Sequence, residues 1–307
     1  MLTPVIDAKR REFPNAEHIM LSNDSEELIK PSVVYAGADL IDRYLYYKSG
    51  SRISLMKLAF KLRKENFAQL VYMVRDPEVR WQRDRKFFKL AGIKLIFGQQ
   101  ESKETHILDQ LADRAGLKLS FENVRTSFNK LYFKTNSELQ QVNNAVAIGM
   151  GGKKPFCRWP HDRYSELIET LIKRYDITPV YFGSKGEGSD AQKLIDQNSR
   201  GINFCGKLSI EQGLATMASC QTYIGNDTGT IHMAAAAGLR CLGLYASHDI
   251  PGKWHPYGQG HVVLRDDSTK CAGSLEKFVC PHDNECIESI SVKQVLQAYE
   301  ENFCEMN

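Results

Sequence analysis

The run YIGNDTGTIHMAAAAG at 223–238 leaves few folds open to this chain. A short apolar segment ends in Asp227, a Thr228-Gly229 turn follows, and an alanine-rich helix opens at once. Asp227 or Thr228 is placed to cap that helix and Gly238 to end it. A strand joined to a helix this tightly turns the free N–H groups of Thr228, Gly229 and Thr230 toward its own carboxyl edge. Unpaired N–H groups and the helix dipole both favour an anion there. An ordinary capped helix of an α/β domain makes the same demands, and this segment alone does not separate the two.

The same alternation runs through the second half of the chain. A strand at 145–148 leads into a glycine-rich loop, Gly149-Met150-Gly151-Gly152-Lys153-Lys154, and a helix at 163–174. A strand at 178–182, a turn at 183–187, a helix at 188–197, a short strand at 202–204, a helix at 209–218 and a strand at 222–225 complete the series. Strands alternating with helices predict a parallel sheet covered on both faces. The first half reads similarly: helices at 3–13, 54–65 and 83–91, strands at 17–21, 68–74 and 93–97. Periodicity weakens over 121–143, so a connector is expected there, dividing the chain into domains 1–143 and 144–307. The fold class is α/β, with two Rossmann-like domains. In open parallel sheets ligands sit outside the carboxyl ends of the strands, which singles out the loops 149–158, 183–187 and 226–230.

Composition narrows the function classes. Hydrophobic residues at 42% and charged ones at 25% over 307 residues suit a globular protein with a core in each domain. No apolar run is long enough to span a bilayer, nothing reads as a signal peptide, and eight cysteines are scattered without a dense framework. A cytoplasmic location is therefore expected. Residues 1–143 hold 24 Lys+Arg against 18 Asp+Glu, and residues 144–307 hold 16 against 19. A basic first half implies either an anionic partner, such as a phosphorylated glycolipid or membrane surface, or simply solvated helix faces. Arg80, Arg83, Arg85, Lys86 and Lys89 interleave with Trp81, Phe87 and Phe88, but no nucleic-acid motif accompanies them. An amphipathic surface helix is the expected form, and no nucleic-acid partner.

After Gly238 come the strand-like Cys241-Leu-Gly-Leu-Tyr245-Ala and the loop Pro251-x-x-Trp254-x-Pro256-Tyr257-Gly258. Strand, acidic-Thr-Gly turn, small-residue helix, strand and this loop together resemble glycosyltransferase family 9, which contains the bacterial ADP-heptose:lipopolysaccharide heptosyltransferases. The likeness runs from about residue 2 to about residue 291 and is most specific over 207–258. It implies a GT-B architecture, two domains facing a cleft. It also implies inverting transfer of a heptose or related sugar from an ADP-sugar to a lipopolysaccharide core acceptor, without cofactor or metal. The partners would be a nucleotide-sugar donor and a glycolipid acceptor, with peripheral contact at the inner face of the membrane.

The resemblance also assigns roles. Asp227 would contact donor sugar hydroxyls, while Thr228, Gly229 and Thr230 hold the pyrophosphate. Glu187 would accept from the ribose hydroxyls, and the Leu208-Ser209 backbone would hold adenine. Independently of the resemblance, Gly149, Gly151 and Gly152 let the backbone approach a phosphate and Lys153 and Lys154 add charge, unless the loop is only a turn. His232 would orient the phosphates, or serve as a structural hydrogen-bonding residue in a packed helix. One departure is plain. The family's Lys-x-Trp-Pro stands here as Cys157-Arg158-Trp159-Pro160, so Arg158, Lys153 or Lys154 would have to carry the lysine's charge. Arg158 joins Asp227 as a catalytic candidate.

Family members open with a strand, a Gly-Asp loop and a helix, and residues 2–8 here read as lying inside that helix. The loop's aspartate is the presumed general base. No residue of this chain matches it, and Asp7 falls too far along the helix. A catalytically impaired nucleotide-sugar binder is therefore an alternative, as is a protein-modifying glycosyltransferase. Near the end, Cys271, Cys280, His282 and Cys286 could ligate zinc or simply pack. A last helix at 292–302 is expected to cross back to the first domain.

Overall fold

The computed structural model describes residues 2–24, 30–35, 38–48, 50–73, 78–98, 105–132, 137, 139, 142–268, 280 and 282–304. The chain divides into two compact units, Met1–Leu131 and Tyr132–Asn307.

The first unit contains α1 (Thr3–Glu12), β1 (Ile19–Asn23), α2 (Pro31–Val34), β2 (Arg43–Tyr47), α3 (Arg52–Glu65), β3 (Gln69–Val71), α4 (Glu78–Leu90), β4 (Leu95–Phe97), α5 (Ile107–Arg114) and α6 (Phe121–Tyr132). Among the described residues its strands form two parallel pairs, β1 with β2 and β3 with β4. Local signals set the helix ends: Pro4 sits in the first turn of α1, and the Ser51 hydroxyl accepts from the Ser54 N–H at the start of α3. Leu45, Leu58, Leu62, Tyr72, Trp81, Phe88 and Ile93 make the core. Tyr72 packs its ring 5.2 Å from that of Trp81 and 6.4 Å from that of Phe88. The aromatics of α4 thus face the core while its cations face outward, as an amphipathic surface helix requires.

The helix α6 occupies residues expected to be connector. Its inward face carries Val124 and Ser127, both buried. A serine there breaks the apolar period, and it is tolerated because its hydroxyl donates to the Asp7 carboxylate of α1 at 2.7 Å. Asp7 also pairs with Arg11 at 3.2 Å. A bond across 120 positions of sequence has no local signature.

The second unit contains β5 (Ala145–Gly149), α7 (His161–Tyr175), β6 (Thr178–Tyr181), α8 (Gly188–Asn198), β7 (Ile202–Asn203), α9 (Ile210–Met217), β8 (Thr222–Asn226), α10 (Gly229–Ala236), β9 (Arg240–Tyr245), β10 (Val262–Arg265), α11 (Glu285–Glu288) and α12 (Val292–Phe303). Its strands form one parallel sheet in the order β10-β9-β8-β5-β6-β7. The chain starts at the centre with β5, runs outward through β6 and β7, then returns to the other side with β8. Every residue of β5 and β8 is buried, the mark of a parallel sheet with helices on both faces. Pairing sets Gly149 opposite Gly225, so the two central strands end together. The last helix, α12, packs on α7 and beside β10, and Val295, Ala298 and Tyr299 enter this unit's own core.

Candidate active site

Reversal of strand order between β5 and β8 opens a crevice at their carboxyl ends, where α/β sheets bind ligands. The loops after β8, β5 and β6 meet there, because these three strands are neighbours. They are the three loops that sequence singles out.

Asn226, the last residue of β8, fixes the loop that follows β5. It is fully buried. Its amide nitrogen donates to the carbonyls of Met150 (2.6 Å) and Gly151 (3.0 Å), and its oxygen accepts from the Trp159 N–H (3.2 Å) and the Tyr164 hydroxyl (2.9 Å). Both ends of the loop that follows β5 thus hang on one side chain. Sequence reading passed over Asn226 because a lone Asn before an Asp looks like turn chemistry, and its partners lie far along the chain.

Thr228 takes the cap position of α10 in an extended conformation, yet no side chain caps the helix. The Thr228 hydroxyl instead lies 2.7 Å from that of Thr230, which lies 2.7 Å from the buried Tyr223 hydroxyl. Gly229, at the first helical position, has open space where a side chain would stand. The Thr228 side chain therefore satisfies none of the first-turn N–H groups of α10. Gly238 ends the helix as expected, at φ +90°.

Asp227 lies beneath this turn with His232 Nε2 3.9 Å from its Oδ1. Burial, reinforced by neighbouring Asp249, pushes its carboxyl up to about 7, while Lys154 and Arg265 pull it part of the way back. Asp249 behaves oppositely. Burial raises it, but the Ile250 N–H (2.8 Å), Lys253 (3.0 Å) and the Trp254 indole (2.7 Å) outweigh that and hold it below the usual range. Two neighbouring acids are thereby driven apart, one ionised and one poised to carry a proton near neutrality. The segment after β9 supplies Asp249 and Trp254, two residues beside Asp227 that the local motifs do not mark.

Glu187 ends a one-turn 3-10 helix after β6. Its Oε2 accepts from the Ser184 N–H at 2.6 Å. Its other oxygen crowds Gly151 so closely that a methyl group there would stand 1.9 Å from it. Gly151 and Glu187 are thus brought together. Ser209 caps α9 in a reciprocal arrangement with Gln212, and Leu208 is half-buried just before it.

The cations separate into three kinds. Lys153 is exposed. Arg158 turns its Nε back to the Gly152 carbonyl at 2.7 Å, bracing the loop. Lys154 reaches inward, with its ammonium 5.5 Å from the Phe156 ring and its charge felt at Asp227. Cys157 is buried, 3.7 Å from His248 Nδ1. Burial and then Asp227 push its thiol up to about 12, so it is neutral and no thiolate nucleophile. His248 is held down to about 4, by burial and then by Lys154, and is neutral as well.

Cys271 lies outside the described residues. Cys286 Sγ accepts from the Ser247 N–H at 3.4 Å within the core. Among the described residues no cluster of three His, Cys, Asp or Glu side chains is disposed to hold a metal.

The geometry defines a crevice at the switch point of a parallel sheet, and comparison with known proteins gives the family. The family model for glycosyltransferase family 9 (heptosyltransferase) matches residues 93–281. The chain belongs to this family. It is 32% identical over 119 residues to lipopolysaccharide heptosyltransferase 2 of Salmonella typhimurium, a match covering 37% of this chain and 33% of that protein. Against lipopolysaccharide heptosyltransferase 2 of Escherichia coli K12 the identity is 31% over 119 residues, again 37% and 33% of the two chains. These alignments span about a third of the length of the curated relatives. The fold resemblance is broader. The E. coli ADP-heptose LPS heptosyltransferase II structure aligns with a TM-score of 0.66 at 16% identity, covering 97% of this chain and 93% of that one. The E. coli heptosyltransferase WaaC with ADP gives 0.66 at 14% identity, covering 98% and 94%. The GT-B fold of these heptosyltransferases is the fold of this chain. No helix among the described residues is long and apolar enough to cross a membrane.

Proposed function

We propose that this chain transfers a heptose, or a closely related sugar, from an ADP-sugar to a lipopolysaccharide core acceptor, with inversion at the anomeric carbon. One observation carries the reading: the uncapped N-terminus of α10 stands beside Asp227 at the switch point of a parallel sheet, with the Gly151–Glu187 pair on the neighbouring strand ends. In this reading the diphosphate sits on the N–H groups of Gly229 and Thr230, Glu187 Oε1 accepts from ribose hydroxyls, and Asp227 meets the sugar. The backbone at Leu208-Ser209 is assigned to adenine and His232 to phosphate orientation.

Lys154 takes over the charge that the family lysine supplies where Cys157 now stands, and Arg158 acts by bracing the loop. As the acceptor oxygen closes on the anomeric carbon from the opposite face, the C1–O bond to the diphosphate breaks and the acceptor hydroxyl loses its proton to solvent. The sugar gains oxocarbenium character and the departing ADP gains negative charge. Oriented N–H groups and Lys154 stabilise that charge more in the transition state than in the bound donor. The reading needs no divalent metal, so chelation with EDTA leaves turnover unchanged. The basic first unit is assigned to the anionic glycolipid, at the cytoplasmic face of the inner membrane.

The deciding experiment is calorimetric titration with ADP-heptose, ADP and UDP, beside Asp227→Ala and Lys154→Ala. ADP-heptose is expected to bind in preference to UDP and to weaken in both variants. Equal binding of UDP and ADP, or no binding by the folded chain, would refute the donor assignment.

A further inference from the structure

The surface of the first unit carries a feature that the donor site does not use. Helix α3 is apolar on two opposite faces. Leu58 and Leu62 enter the core, whereas Ile53, Met56 and Phe60 stand 68%, 63% and 74% exposed. Spacings of three and four residues stack these three side chains in one stripe along the helix. Arg52, Lys57, Lys61, Arg63 and Lys64 are exposed on either side of it. The sole acid of the helix, Glu65, is at its end and is held by Arg43. The neighbouring α4 adds exposed Arg83, Arg85, Lys86 and Lys89 and ends in Leu90, which is 79% exposed.

Three large apolar side chains in one exposed row mark a surface that meets a partner. Charge selects which partner. A second copy of α3 would set Lys57, Lys61 and Lys64 against their own counterparts, a repulsive arrangement. A bilayer with acidic headgroups offers anions at the level of the cations and hydrocarbon beneath them, which is what a helix lying in the interface requires. We propose that α3 docks the chain onto an anionic membrane surface, with Ile53, Met56 and Phe60 inserted and Arg52, Lys57, Lys61 and Lys64 among the headgroups. The proposal gives the membrane contact of the reading above a definite surface. It requires neither donor nor acceptor, so the two stand or fall separately.

The test is flotation of the whole chain with phosphatidylglycerol–phosphatidylcholine vesicles and with phosphatidylcholine vesicles alone. Binding is expected only where phosphatidylglycerol is present, and to fall with added salt. The double change Met56→Ser, Phe60→Ser should lower partitioning about tenfold or more with no drop in thermal midpoint, because both side chains are already in water. Lys57→Glu with Lys61→Glu should lower it comparably. No binding to the acidic vesicles, or equal binding by the Met56/Phe60 variant, would overturn the proposal. So would a dimer in sedimentation velocity that the Met56/Phe60 changes dissociate.

Discussion

In the second unit every residue of β5 and β8 is buried, whereas β1 and β3 of the first unit are half-exposed along their whole length. The same α/β logic has produced a six-stranded sheet in one and two separate strand pairs, among the described residues, in the other. The second unit concentrates its polar chemistry at one sheet edge, on buried groups such as Asn226 and Asp227. The first spreads charge over its surface, as where Arg43 bridges Glu17 and Glu65 and Arg10 pairs with Asp42. Buried polar groups are energetically consequential because their partners cannot be replaced by water, while exposed pairs contribute little. The functional site should therefore be intolerant of substitution, and the first unit's surface forgiving.

Asn226→Leu tests that contrast most severely. It strands two backbone carbonyls, the Trp159 N–H and the Tyr164 hydroxyl, and should cost about 3 kcal/mol or more in urea unfolding. An Arg43→Ala control in the first unit should leave the urea midpoint nearly unchanged, because exposed ion pairs are screened by water. Equal losses would end the comparison.

Asp227→Asn should act in the opposite direction. A carboxyl raised from its ordinary value to about 7 binds more protons folded than unfolded between those two values. Its burial therefore removes stability as pH rises through that window. The amide should raise the thermal midpoint at pH 8, by roughly 2 kcal/mol of stability, and change nothing near pH 4.

Ser127→Ala probes the one deeply buried polar contact noted in the first unit. Removing the hydroxyl from Asp7 should cost on the order of 1–2 kcal/mol, with donor affinity unchanged. Two glycines give the finest discrimination. Gly151→Ala drives a methyl into Glu187 and should lower both stability and donor affinity, whereas Gly229→Ala, with open space around it, should leave the thermal midpoint within about 1 °C and weaken donor binding alone. If Gly229→Ala leaves binding intact, the phosphates do not sit on the start of α10.

Local signals were enough to place much of this molecule. The acidic-Thr-Gly turn, Gly238 as a helix stop, and the alternating strands and helices of 144–245 are all written in short stretches of residues. The three loops at the sheet edge followed from that alternation alone. Other elements escaped: α2, β2, β10 and α11 are short, α5 confines its apolar stripe of Ile107, Leu108 and Leu111 to two turns, and α6 carries Ser127 on its buried face.

What the sequence determined by itself is the chemistry available at the strand ends, because turns, caps and glycines act over a few residues and leave their mark there. What only the tertiary structure decided is which of those groups do which work. Lys154 rather than Lys153 reaches toward Asp227, Arg158 braces a carbonyl, Cys157 is a neutral thiol, and Asn226 holds the loop. Burial and long-range pairing set those roles, and both depend on neighbours that sequence distance conceals.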